Sequence, residues 1–211
     1  LAAAAPCRAQ LIELQPVRID FDRTHTARAF TIVNRADKPA TVQIRAFAWS
    51  QSADGADVLT PTGDLMLSPP FAELAPGESQ VVRVRFTGAP QPAEGAYRLV
   101  VDQLPVRAAS GIRMALRLTM PVFIAPLAAA RPRIAWQWSQ DGRGGAILTV
   151  SNTGGEHAMM SDIKITTASG APLTLPASGS AYMLNGAVRR WRLAAPPGPA
   201  SRSPLQVAAG P

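Results

Sequence analysis

The chain is short of cysteine, histidine, lysine and aromatic residues, and each shortage closes off a class of function. One cysteine, Cys7, in 211 residues excludes an intrachain disulfide framework. The two histidines, His25 and His157, lie far apart with no metal-type spacing, so no metal site is expected. There is no Walker loop, no G-x-G-x-x-G and no G-x-S-x-G. Gly154-Gly155-Glu156-His157 reads as a turn after a strand. Asp20 and Asp22, two residues apart on a strand pattern, read as a solvated face rather than a catalytic carboxylate pair. No enzyme and no cofactor are expected. No run is long and apolar enough to span a membrane. Lys38 and Lys164 are the only lysines, so the net charge of +7 is carried almost wholly by arginine. Arginine suits bidentate capture of carboxylates or phosphates. With no Lys/Arg run and no aromatic-rich basic motif, nucleic acid is not an expected partner.

What is present is punctuation. Twenty prolines and sixteen glycines break the chain into short apolar runs, and a hydrophobic content of 47% is enough for a core. That combination predicts an all-β sandwich class. Val17, Ile19 and Phe21 alternate with polar residues after a turn at Pro16. Ala29–Asn34 and Ala40–Trp49 flank a polar loop and are expected to form a hairpin, with a bulge near Ala46 where the alternation slips. Residues 51–64 are polar and turn-rich. Leu65–Ser68 runs into Pro69-Pro70, Phe71 and Leu74 lead to a tight turn at Pro76-Gly77-Glu78, and Ser79–Phe86 and Ala96–Leu104 follow as strands. After Pro126, Leu127–Pro132 reads as a linker. Ile134–Trp138, Ala146–Asn152, Met160–Thr167, Ala187–Leu193 and Pro204–Ala208 are the strand candidates beyond it. No run keeps a 3.6 period over helical length.

Ile112–Pro126 stands out. Ile112, Met114, Leu116, Leu118, Met120 and Val122 occupy every second position, so this is a strand with one strongly apolar face. That is more apolar surface than a half-buried strand needs. At the N-terminus, residues 1–9 resemble the remnant of a secretory signal peptide, with the mature chain starting near Gln10. The mature protein would then hold no cysteine, which fits a bacterial periplasm.

Several pieces, in serial order over residues 10–126, resemble the periplasmic chaperones of chaperone–usher pilus assembly. They are Val17-Arg18-Ile19, Ala29-Phe30-Thr31-Ile32-Val33-Asn34, Leu67-Ser68-Pro69-Pro70, Leu74-Ala75-Pro76-Gly77 with Val81-Val82-Arg83-Val84, Gly95-Ala96-Tyr97-Arg98-Leu99, and Pro121-Val122-Phe123-Ile124-Ala125-Pro126. In the second half, Ala146–Asn152 and Arg190-Trp191 fit more loosely. The Pro-Val-Phe ending and Gly-Ala-Tyr-Arg are similar to the archaic branch, whose subunits resemble spore-coat U proteins.

The resemblance implies two immunoglobulin-like β-sandwich domains in an L-shaped arrangement, residues 10–126 and 127–211. It also implies donor-strand complementation, in which the chaperone lends a strand to a fibre subunit that lacks one. The lending strand would be the Ile112–Pro126 stretch, with Ile112, Met114, Leu116, Leu118 and Met120 entering the subunit. Burial of each large side chain is worth about 1.5–3 kcal/mol. Such chaperones anchor the subunit's terminal carboxylate with a basic pair. Arg18 matches the first member. The second is usually a lysine, and its place here holds Pro121, so Arg98 becomes the candidate for the second anchor. Implied partners are pilus or fimbrial subunits of spore-coat-U type and an outer-membrane usher, and an exposed lending strand would also permit a self-capping dimer. The rival reading is an exported carbohydrate-binding or adhesin-like sandwich. It would need clustered exposed aromatics, for which Trp136 and Trp138 are the best hint. A hydrolase on a β scaffold lacks its constellation.

Overall fold

The computed structural model describes residues 12–105, 116–140, 146–160, 164–166, 172–173, 181–193 and 206–208, and every regular element among them is a strand. The chain divides into two compact units. The first comprises Leu1–Ala48, Leu59–Pro90 and Gly95–Ala125, the second Trp49–Val58, Gln91–Glu94 and Pro126–Pro211.

Ten strands build the first region: β1 (Ile12–Gln15), β2 (Ile19–Phe21), β3 (Ala27–Asn34), β4 (Ala40–Gln51), β5 (Asp57–Pro61), β6 (Leu65–Ser68), β7 (Phe71–Leu74), β8 (Ser79–Phe86), β9 (Gly95–Leu104) and β10 (Arg117–Ile124). One sheet runs β1-β3-β8-β6, the other β2-β10-β9-β4-β5 with β7 also on β4. Alternate side chains of the two sheets meet in one core: Phe30, Ile32, Val82 and Val84 from the first, Val42, Leu99, Val101, Met120 and Val122 from the second. Both outer corners are made the same way. β1 and β2 are consecutive yet lie in different sheets, as are β6 and β7, and the proline-containing bonds Gln15–Pro16 and Ser68–Pro69, both cis, mark the two switches. A residue with no N–H to give is suited to the point where a chain leaves a ladder.

The expected hairpin between the second and third apolar runs is not formed. β3 belongs to the first sheet and β4 to the second, so the connection arches over the core. The reason is Asn34, fully buried at the end of β3. Its side-chain amide donates to the carbonyls of Lys38 (2.8 Å), Leu74 (3.0 Å) and Ala75 (3.2 Å), and its Oδ1 accepts from Ala36 N–H (3.0 Å). One side chain thereby meets the hydrogen-bonding needs of a backbone that has left its sheet. The bulge near Ala46 is absent too. β4 pairs with β9 without interruption from Thr41↔Leu104 to Ala48↔Tyr97. The alternation is kept by small residues: Ala46 and Ala48 pack on the core, and Phe47 takes the other face. β5 falls inside the stretch read as polar loop. All five of its residues are exposed, so it has no apolar face to betray it. Val17, which continues the alternation of Ile19 and Phe21, is 74% exposed because the chain is changing sheets there.

After β2, Asp22 organises a turn. Its Oδ1 accepts from Thr24 N–H and hydroxyl (2.8 and 2.7 Å) and His25 N–H (2.8 Å), while Arg28 reaches Oδ2 at 2.6 Å. These bonds, Thr24's first, hold the carboxyl well below its usual range.

The second region holds β11 (Ile134–Gln140), β12 (Ala146–Asn152), β13 (Ala158–Met159), β14 (Lys164–Thr166), β15 (Pro172–Leu173), β16 (Tyr182–Met183), β17 (Val188–Leu193) and β18 (Gln206–Ala208). They form sheets β11-β12-β17, β13-β16 and β15-β14-β18. Trp136 pairs with Val150 and Trp138 with Leu148, and both partners are fully buried. The two tryptophans therefore share the face turned to the core, each partly buried there.

The same unit takes in residues 49–58 and 91–94. Trp49 stacks edge-on against Tyr182, and the Gln51 amide bonds Tyr182 C=O (2.8 Å) and Leu184 N–H (3.0 Å). Arg189 is 3% exposed and gives Nη2 to Tyr182 C=O at 2.6 Å, with its stem against Gly55. Burial pushes its guanidinium down from the usual value, and the charge of Asp57 pushes back. Glu94 bonds both the N–H (2.9 Å) and Nδ1 (2.7 Å) of His157. His157 is thus a partly buried histidine held by Glu94. Gly154 approaches the backbone so closely that a Cβ would lie 2.2 Å from Arg131 O, so the Gly-Gly turn admits no side chain there.

Candidate functional site

The site is the edge of the second sheet of unit 1. Its edge strand, β2, is only three residues long and pairs in parallel with the last three residues of β10, Val122↔Ile19 to Ile124↔Phe21. On its other side β10 pairs with β9 over its whole length, Arg117↔Asp102 to Ile124↔Gly95. Gln103 N–H donates to Leu116 C=O at 2.9 Å. That bond fixes the phase: even-numbered residues of β10 turn their backbone groups to β9, odd-numbered ones away from it. Ala125 N–H accordingly reaches Phe21 C=O at 2.9 Å on the β2 side. Among the described residues nothing pairs with that side N-terminal to Val122. The backbone groups of Arg117 and Thr119 face an open edge, and both residues are exposed.

The side chains split by parity as well. Met120 and Val122 are fully buried in the core of unit 1, and Leu116 and Leu118 are half-buried against it. Met120 was expected among the lent side chains and is instead a core residue. Ile112 and Met114 lie outside the described residues.

The opposite face carries the charges. One row runs across the sheet at the level of Pro121. Arg98 and Phe47 follow in register on β9 and β4, and Arg18, one residue before Ile19, stands on the other side. Pro121 therefore separates Arg18 from Arg98 by two strand spacings, about 10 Å between Cα atoms. The guanidinium of Arg18 lies 4.8 Å from the centre of the Phe123 ring, and its Nε and Nη2 hold Asp20 at 2.9 and 2.7 Å. Four register pairs further along, Asp102 accepts from Arg45 Nη2 (2.5 Å) and Arg117 Nε (2.6 Å). Burial raises the Asp102 carboxyl, but the bonds and charges of Arg117 and Arg45 together lower it more, so it ends below the ordinary 3.8. The structure thus places both candidate anchors, Arg18 and Arg98, on one face of one sheet. The sequence marks Asp20 only as part of a solvated face and does not mark Asp102. Asp20 could have been found by its spacing from Arg18, Asp102 only through the register of three strands.

Residues 11–130 match the family model of the pili and flagellar-assembly chaperone, PapD N-terminal domain. The chain belongs to this family. Its structure is similar to solved chaperone structures over nearly its whole length. One is a chain of the CsuC–CsuE chaperone–tip adhesion subunit pre-assembly complex from the archaic Csu pili of Acinetobacter baumannii, with TM-score 0.70 and 23% identity over 93% of this chain and 97% of that one. The E. coli chaperone DraB matches with TM-score 0.64 and 19% identity over 88% and 86%. A chain of the Salmonella enterica SafA pilin–SafB chaperone complex matches with 0.65 and 17% over 89% and 86%. These likenesses show the two-domain β-sandwich fold of such chaperones. No curated protein sequence matches the chain. In the chaperone described here no helix among the described residues is long and apolar enough to cross a membrane, and no cluster of candidate metal ligands occurs among them.

Proposed function

We propose that the protein is a non-enzymatic periplasmic chaperone that stabilises pilus or fimbrial subunits by lending them β10 and its N-terminal extension, then delivers them to an outer-membrane usher. Residues 1–9 would be the leader remnant, 10–126 the subunit-binding domain and 127–211 the second immunoglobulin-like domain. The observation that carries this reading is the open edge of β10, which offers unpaired backbone groups, half-buried Leu116 and Leu118 on one face, and a basic row at its end. An edge of this kind is a template for strand addition. Leu116 and Leu118, with Ile112 and Met114 upstream, would enter the subunit. Arg18 and Arg98, flanking Pro121, would hold its terminal carboxylate. Subunits of the spore-coat-U type are the expected clients.

The test is periplasmic co-expression with candidate fibre subunits. Leu116→Asp with Leu118→Asp should abolish recovery of soluble subunit while the purified chaperone keeps its thermal transition. Unchanged recovery would remove strand lending from consideration. Arg18→Ala should reduce complex yield more than Arg83→Ala, a control on the exposed face of the other sheet.

A further inference from the structure

Arg117 heads β10 at the start of the unpaired edge, with its side chain on the outward face of the sheet. It stands directly opposite Asp102 on β9. The backbone bond of this part of the ladder belongs to the next pair, Gln103 and Leu116. Arg117 and Asp102 are therefore a non-hydrogen-bonded pair, the kind whose side chains lie closest. Arg117 gives Nε to Asp102 Oδ1 at 2.6 Å, which is its side chain's one bond among the described residues. Nη1 and Nη2 remain as a two-pronged donor fork on a side chain that is 63% exposed. Asp102 cannot follow a second demand, because its Oδ2 takes Arg45 Nη2 at 2.5 Å. Arg45 is itself steadied by the Phe47 ring, 5.4 Å from its guanidinium. Two guanidinium groups on one carboxylate leave one unit of positive charge. The bond through Nε also fixes where the remaining fork of Arg117 stands.

From this geometry we infer that Arg117 is a specificity-determining residue: among strands that join this edge, it selects those carrying an aspartate or glutamate on the outward face beside it. The inference rests on the strand-addition reading above and adds a chemical property of the client. A strand joining β10 lies about 4.8 Å away, and its side chains alternate between the two faces. Those on the inner face lie at the level of Leu116 and Leu118. Those on the outer face stand beside Arg117 and Thr119. A carboxylate beside Arg117 accepts from both prongs of the fork and balances the leftover charge. A lysine in that place meets a like charge, and a threonine meets neither gain nor penalty. Arg98, at the level of Pro121, is four register pairs away, about 14 Å along the strand. Arg117 therefore reads a side chain within the joining strand, not its end. Water and salt screen an exposed pair, so the selection is worth about fivefold in affinity.

The experiment is calorimetry on the purified full chain at low salt with three short synthetic peptides. Each has valine at alternate positions, and threonine, glutamate or lysine throughout the others. The same side-chain type then stands beside Arg117 whatever register a peptide takes. All are capped at both ends, so no terminal charge contributes. The wild type should bind the glutamate peptide most tightly and the lysine peptide least. Arg117→Gln should cut the glutamate-over-lysine ratio about fivefold and leave the threonine peptide within about twofold. Arg83→Gln removes the same charge from the other sheet and should leave that ratio within about twofold. Arg117→Glu should turn the preference toward the lysine peptide, a second test that needs no other change in the protein. An unchanged ratio in Arg117→Gln, an equal fall in Arg83→Gln, or equal loss of all three peptides in Arg117→Gln overturns the selection while leaving strand addition standing. Failure of all three peptides to bind the wild type overturns strand addition itself and the selection with it.

Discussion

Asn34 in the first unit and Asn152 in the second do the same work on unrelated stretches of chain. Each is buried at the end of a strand. Each gives its amide to the carbonyl four residues on, Lys38 (2.8 Å) and Glu156 (2.7 Å), and takes the N–H two residues on, Ala36 and Gly154, both at 3.0 Å. Each also exchanges backbone bonds with a turn whose glycine has positive φ. Gly77 donates to Asn34 C=O (2.8 Å) and Gly186 to Asn152 C=O (2.9 Å), while the two asparagine N–H groups reach Glu78 and Ala187. A further amide bond goes to the residue three before the glycine, Leu74 or Met183, and Asn34 adds one to Ala75 C=O (3.2 Å). The two sandwiches are therefore built round one corner device, repeated. What differs is the edge. Unit 1 joins a basic row to an open strand, and no such pairing is seen among the described residues of unit 2. The corner is common to the two units, whereas the basic row beside an unpaired strand is found, among the described residues, in unit 1 alone.

Four measurements would break or sharpen this comparison. The largest effect is expected at the corners. Asn34→Ala and Asn152→Ala should each cost about 3 kcal/mol in urea unfolding, because several buried backbone groups lose their partner at once. A large loss for one and none for the other would end the equivalence. Next, Gly154→Ala should cost about 2 kcal/mol, since its Cβ would collide with Arg131 O and Arg133 N. Ala36, its counterpart in the other corner, already carries a Cβ, so this cost belongs to unit 2 alone. Third, Gly77→Ala and Gly186→Ala should each cost about 1 kcal/mol through the strain of positive φ at an L-residue, with nothing near either Cβ to add to it. Clearly unequal melting shifts would show that the two turns are not equivalent.

The smallest effect concerns the edge alone. The Asp102 carboxyl is lowered in the folded state, so its contribution is fully present above its ordinary value of 3.8. That contribution is lost as the pH falls through the lower folded-state value. Asp102→Asn should therefore lower the melting temperature slightly at neutral pH, by less than about 1 kcal/mol in stability, because Arg117 is largely exposed. The gap between variant and wild type should close as the pH falls below 4. A gap that stays constant to pH 3 would mean that Arg45 and Arg117 do not depend on the carboxylate charge.

Much of this was legible in the residues. The alternation in Phe30–Ile32, Val82–Val84 and Leu118–Val122 marks strands, because an apolar side chain every second position has one physical use in a sandwich. Arg18 and Arg98 could be singled out, as could the turn at Pro76-Gly77. The arch after Asn34 was not legible. A strand, a polar loop and a strand look alike whether the strands pair with each other or face each other across a core. β5 was invisible because it presents no apolar face. Ala46 misled because alanine counts weakly in a hydrophobic pattern yet fits a crowded core position.

The sequence by itself determined the class of fold, the placing of most strands and the excess of apolar surface in the stretch leading to Pro126. These are local properties, set by side-chain type and spacing. Only the tertiary structure decided which part of β10 goes unpaired among the described residues, that Met120 belongs to the protein's own core, and that Arg98 shares a register level with Pro121. Those facts depend on register between strands as distant in sequence as β2, β4, β9 and β10, and register is settled by packing a shared core.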